Sequence, residues 1–173
     1  MSEDERLKPL VEQVLIGEIV MQSKFAAMAA DQLAKASDPI AIWGSIQAIL
    51  IAAANVSKIL WPEQKDRRAR GEHLRVLLGV DDHSLLSDRT FRNHFEHYDE
   101  RVEDWFSKSA SSAYVDSEIN TFPPSPFGLP RVVHRGYNPD SQILSFRGES
   151  IDMAAVLAAL ADIREKCQPF ALP

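Results

Sequence analysis

The residues best equipped for chemistry lie in one short segment. Arg92-Asn93-His94-Phe95-Glu96-His97 sets a guanidinium, a carboxamide, two imidazoles and a carboxylate within six positions. A guanidinium holds a phosphate by two parallel hydrogen bonds. An imidazole titrates near neutrality and can move a proton to or from a ribose oxygen. RNA carries its own nucleophile, the 2′-hydroxyl. Cleavage by that route needs a phosphate clamp and a proton-transfer group, and no metal. Arg92 is the candidate clamp and His97 the candidate acid or base, with Asn93 orienting one of them or binding phosphate. Glu96 is expected to fix the Arg92 rotamer.

Geometry qualifies this pairing. With Phe91 at zero and about 100° per residue, Phe95, Tyr98, Val102 and Phe106 fall within about 60° of it. The opposite side carries Arg89, Arg92, Asn93, Glu96, His97 and Glu100. That side reads equally as a solvated face, in which an Arg92–Glu96 pair contributes only about 0.2–0.5 kcal/mol. Arg92 and His97 diverge by about 140° on one helix. They converge on one phosphate only if something packs across the face. A second copy of the helix about a two-fold axis does so economically, so the mechanism implies a homodimer with a composite cleft.

Other candidates carry less. Arg89 to His94 and Arg68 to His73 repeat the same spacing. His94 and His97, with Glu100 and Asp104 nearby, could form part of a metal site, but the paired Glu-x-x-His motifs of di-iron bundles are absent. No metal is expected. Lys65, Arg67, Arg68, Arg70 and Arg75 face only Asp66 and Glu72 across one segment. Lys65, Arg67, Arg68 and Arg70, with Arg89, would supply sequence-independent grip on an RNA backbone; the run reads otherwise as a solvated loop. No Gly-rich phosphate cradle exists, so no nucleotide cofactor is expected. Cys167 is a spectator, and a lone cysteine excludes a disulfide framework.

The elements that must position these groups are mostly helical. A first helix is expected from about Pro9 to Lys35, with Val11, Val14, Leu15, Ile19, Phe25, Met28 and Leu33 as its apolar stripe. Asp38-Pro39 is a cap and a first-turn proline, opening a second helix that Pro62 stops after Trp61. A short third helix ends at Gly79. A fourth, capped by Ser84, Ser87 or Asp88, runs to about Lys108 and carries the motif. Five of ten prolines fall between Pro123 and Pro139, so no helix crosses there. Arg131 to His134 and Gln142 to Phe146 read as a β-hairpin about the turn residues Tyr137 to Ser141. A last helix is expected from Ser150 to Cys167, with Ile151, Ala154, Ala155, Leu157, Leu160 and Ile163 facing in. The expectation is one all-α domain over residues 1–173, a four- to five-helix bundle with a hairpin inserted at about 120–148.

The Arg92 to His97 segment resembles the Arg-x4-6-His motif of HEPN-domain proteins, in which a polar residue often follows the arginine, as Asn93 does here. The resemblance covers roughly residues 9 to 110 and the last helix; the hairpin departs from the family core. It implies a helical bundle that dimerises. It also implies a metal-independent endoribonuclease, with Arg92 and His97 catalytic and Asn93 supporting them. A role as a toxin or antiviral effector would go with it, and a small nucleotidyltransferase as antitoxin. Other members of that family bind nucleotides or proteins without catalysis, so a non-catalytic helical interaction module is the alternative.

Composition sets outer bounds. The 173 residues are 45% hydrophobic and 25% charged, with a formal net charge of −6. That balance excludes a protein that coats nucleic acid by bulk attraction, but not one that grips a single phosphate. The acidic start lacks a secretory signal. Ile40 to Leu60 contains Ser45, Gln47, Asn55, Ser57 and Lys58, which suits the central helix of a bundle better than a membrane span. A cytoplasmic protein is expected.

Overall fold

The computed structural model describes residues 9–88, 93, 97–108, 113–120 and 131–170. Its elements form two compact units, residues 1–89 with 155–173 and residues 90–154.

The first unit is built on a helical hairpin, α1 (Pro9–Leu33) and α2 (Pro39–Leu60). Asp38 caps α2 as expected: its carboxylate accepts from the Ala41 N–H at 3.0 Å, and Pro39 occupies the first turn. One face of α2 buries Ile42, Ile46, Ile49, Val56 and Leu60, and Ala52, Ala53 and Ala54 are buried beside it. Among the described residues α2 is the one helix long and apolar enough to cross a bilayer. Its most apolar window is 56% buried within the protein, as a bundle's central helix is. Two serines are buried in the pair, and each satisfies its hydroxyl one turn back: Ser23 donates to the Ile19 carbonyl and Ser45 to that of Ala41.

The burial of α1 differs from the sequence expectation. Ile16, Ile19, Ser23, Ala26 and Ala29 form its buried face, while Val11, Val14, Phe25 and Met28 are exposed. The helix is apolar on two opposite sides, so the apolar pattern could not say which side faces in.

The C-terminal end of α2 is closed by arginines from α3 (Arg68–Leu78). Arg70 Nη2 donates to the Lys58 and Ile59 carbonyls, and Arg75 Nη1 to that of Leu60. These are carbonyls that a helix end leaves without intrahelical partners. Arg75 also pairs with Asp82 and lies over the Trp61 ring, 5.7 Å from its centroid. Gly79, at φ 63°, ends α3 in the left-handed conformation. His73 on α3 ties back to α1 through Glu12 at 2.6 Å. The final helix, α5 (Met153–Cys167), buries Val156, Leu160, Ile163 and Cys167. It starts three residues later than expected, and Ala154 and Ala155 are exposed.

Among the described residues the second unit holds α4 (Tyr98–Lys108) and six short strands: β1 (Ala113–Val115), β2 (Glu118–Ile119), β3 (Arg131–Val133), β4 (Arg135–Asn138), β5 (Ile143–Phe146) and β6 (Glu149–Asp152). The chain is therefore mainly helical rather than all-α, with a small sheet before the last helix. β4 and β5 form the expected hairpin, antiparallel with Tyr137 opposite Leu144. Its first strand is Arg135–Asn138, not Arg131–His134. The Val132-Val133 pair that suggested a strand lies in β3, which runs parallel to β1. Ser150–Asp152, expected to begin a helix, belongs with Glu149 to β6 and pairs with β5 instead. Arg147 at φ 51° and Gly148 at φ 89° make the two-residue turn that forces this return.

Every residue of β1 and β2 faces the residue eighteen positions on, Ala113 with Arg131 and Glu118 with Gly136. The two ladders thus share one register, interrupted at Asp116–Ser117 on one side and His134 on the other. Ser117 at φ 57° makes the kink.

Gly71 tests the α2–α3 packing. A Cβ there would come within 2.5 Å of Pro62 Cδ and 2.6 Å of the Leu60 carbonyl oxygen. Gly71→Ala is expected to lower stability by about 1–3 kcal/mol in urea unfolding, despite the better helix propensity of alanine. An unchanged midpoint would show that α3 does not approach α2 this closely.

Candidate functional site

The described part of the motif begins at Asn93, which is helical; its carbonyl accepts the His97 N–H at 3.1 Å. His97 in turn accepts from the Arg101 N–H at 3.1 Å. These two bonds link residues four apart, so Asn93 and His97 lie one turn from each other. Arg92, Glu96, Arg89 and His94 lie outside the described residues.

The His97 side chain is 51% exposed. Its Nδ1 faces the Glu100 carboxylate at 3.5 Å, one turn further along. A carboxylate at this distance attracts the protonated imidazole by charge, with the Glu100 side chain itself 72% exposed. Glu100, noted in the sequence only as a possible metal neighbour, is thus the group beside His97. No cluster of three or more metal-ligating side chains occurs among the described residues.

Immediately behind His97, Tyr98 anchors the start of α4. Its hydroxyl donates to Asp116 Oδ2 at 2.9 Å and lies 3.2 Å from the Tyr114 hydroxyl. Asp116 is held by Arg135 through two bonds, Nε to Oδ1 at 2.8 Å and Nη2 to Oδ2 at 2.6 Å. The guanidinium also donates to Ser117 Oγ and sits 4.2 Å from the centroid of the Tyr98 ring. Charge, hydrogen bonds and cation–π attraction therefore close on one another around three side chains.

The electrostatics follow from this closure. Burial alone pushes the Asp116 carboxyl up, but the bonds and charge of Arg135, with the Tyr98 hydroxyl, outweigh it and hold Asp116 below its ordinary range. The Tyr98 hydroxyl is pushed up, first by burial and then by its bonds to Tyr114 and Asp116. It stays protonated at neutral pH and serves as a donor, not a base. His134, fully buried, completes the packing: its ring centroid lies 5.5 Å from those of Tyr98 and Tyr114 and 4.7 Å from that of Phe146.

The basic run belongs to the first unit, and its members divide. Arg70 is spent on the α2 carbonyls, and burial with the nearby charge of Arg67 pulls its guanidinium down from the usual range. Lys65 and Arg68 are exposed, and Arg67 is exposed beside Asp66 at 3.3 Å. Cys167 is buried, which pushes its thiol up to about 11 and keeps it protonated.

The chain matches no protein-family model, and comparison with curated proteins and with solved structures finds no similar chain.

The Asp116–Arg135 pair gives a pH-dependent prediction. A carboxyl with a lowered folded value contributes stability that is full above its unfolded value, about 4, and lost as pH falls through the lowered one. Asp116→Asn should flatten the acid limb of the stability profile below about pH 4. At pH 7 it should cost about 2 kcal/mol, less than the 3–5 of a fully buried pair because both side chains keep some solvent. Thermal melts of both proteins from pH 2 to 7 measure this; parallel acid limbs would show that Asp116 is not the titrating group.

Proposed function

We propose that the chain is a metal-independent endoribonuclease that cleaves RNA through its 2′-hydroxyl, as the HEPN resemblance implies. The supporting observation is the His97 imidazole: half-exposed, one turn from Asn93, with Nδ1 against a carboxylate and its helix anchored from behind. The 2′-hydroxyl loses its proton as its oxygen bonds to phosphorus. The bond to the 5′-oxygen breaks, and that oxygen takes a proton. The products are a 2′,3′-cyclic phosphate and a 5′-hydroxyl. His97 serves as the general acid or base, with Glu100 beside it. Arg92, placed by sequence on the same helix, clamps the phosphate, and Asn93 supports it. A homodimer brings the clamp and the imidazole of two copies to one cleft. Lys65, Arg67 and Arg68 offer backbone grip in the first unit. A cytoplasmic toxin or antiviral effector, restrained by a small nucleotidyltransferase, is the biological form of this reading.

The test is direct. Purified protein with mixed RNA in EDTA should generate 2′,3′-cyclic phosphate ends. His97→Ala and Arg92→Ala should each slow cleavage by about 10²–10⁴-fold with unchanged circular dichroism. Cleavage abolished by EDTA would overturn the mechanism. An uncut panel of RNAs would make the chain a non-catalytic interaction module.

A further inference from the structure

Helix α1 turns Ile16, Ile19, Ser23, Ala26 and Ala29 inward. Its opposite side is not polar. Leu10, Val14, Met21, Phe25 and Met28 are 68, 62, 47, 47 and 60% exposed. With Gly17 they fall within an arc of about 80° at 100° per residue, over roughly 27 Å of helix. Val14, Met21 and Met28 recur every seven residues, and the column beside them, Leu10, Gly17, Lys24 and Asp31, is uncharged only in its first half. The apolar arc is narrower than the broad stripe of a helix lying on its own core.

Gly17 supplies a second observation. A glycine inside a helix costs about 1 kcal/mol relative to alanine. Here a Cβ would meet nothing within 4 Å, so the chain's own packing does not require it. A glycine on the exposed seam lets another helix approach closely.

Area and charge identify the occupant. At roughly 100 Å² each, the five side chains and Val11 present about 600 Å² of apolar surface, at the upper end for a monomer. Matched by an equal face, they would bury about 1,200 Å², the lower end of stable specific interfaces. The charges beside the seam, Glu18, Lys24 and Asp31, are exposed and of mixed sign. They lack the Lys/Arg bias of a helix that lies on an anionic membrane, and they do not repel a like face.

We propose that the exposed seam of α1 is a self-association surface, covered in solution by α1 of a second copy across a two-fold axis. The proposal stands apart from RNA cleavage. It concerns a helix of the first unit and holds or fails whether or not His97 is catalytic.

Sedimentation equilibrium of the full chain tests it. At tens of micromolar the wild type should show at least twice its 19.4 kDa monomer mass. Val14→Glu with Met21→Glu, both on exposed positions, should weaken dimerisation by at least roughly 100-fold, since each dimer would bury four carboxylates. The thermal midpoint of the variant at micromolar dilution should stay near that of equally dilute wild type. As a second readout, Met21→Cys with a short bis-maleimide should give a cross-linked dimer, while wild type, whose Cys167 is buried, should not. A monomeric wild type, or a double variant with the same mass as the wild type, would overturn the proposal. So would a monomeric wild type that binds vesicles of anionic phospholipid, which would give the seam to a membrane. RNA cleavage by the same preparations is scored separately, so loss of nuclease activity with an intact dimer refutes only the nuclease reading.

Discussion

The second unit depends on one guanidinium. Arg135 stands at the start of β4, where the parallel ladder of β1 and β3 gives way to that of β2 and β4. Strands of two to four residues cannot hold themselves together in water. The Arg135 side chain joins the pieces: Asp116 and Ser117 in the kink between β1 and β2, and the Tyr98 ring on α4. Asp116 then accepts from the Tyr98 hydroxyl, so the strands and the helix share one set of bonds. Lysine could not replace it. Its point charge lacks both the fork that matches a carboxylate and the plane that stacks on a ring.

The first unit solves a similar problem with the same residue type. The last turn of α2 ends at Leu60, before Pro62, with carbonyls that lack intrahelical partners, and Arg70 and Arg75 donate to them. Arg75 adds Asp82 and the Trp61 face, again combining a fork with a plane. Arg70, expected as a phosphate ligand, is therefore a helix-end device, as is Arg75. The chain still leaves Lys65, Arg67 and Arg68 facing water. A basic run in sequence mixes both uses, and only the acceptors that each guanidinium reaches separate them.

What the sequence discloses follows from how local each cause is. Asp38-Pro39, Pro62 and Gly79 act within a few residues, and the ends of α1, α2 and α3 are legible from them. The sheet is not, because its causes are distant or small. β1 and β2 are three and two residues long, without room for alternation to register, and their partner lies eighteen positions away. β6 runs directly into the apolar pattern of α5; only Arg147-Gly148 betrays it, through the left-handed turn both residues adopt. The candidate site divides in the same way. His97 is legible as chemistry and Asn93 as its neighbour. Asp116 and Arg135 have no spacing that relates them to Tyr98, and their connection exists only once the strands are folded.

The α1 seam shows a different limit. Its apolar residues were all legible, yet their pattern placed Val14, Phe25 and Met28 in the core. An amphipathic helix carries one apolar face, and the count of apolar residues then gives the core directly. A helix with two such faces carries a total that one core cannot absorb, and small residues decide which face goes in. Ala26 and Ala29 sit on the buried side, where α2 must come close, and the larger Phe25 and Met28 are left outside. Large side chains that a close-packed hairpin cannot admit are the ones a second molecule can use. The same economy of space that sets the core of the first unit thus also makes its outer surface adhesive.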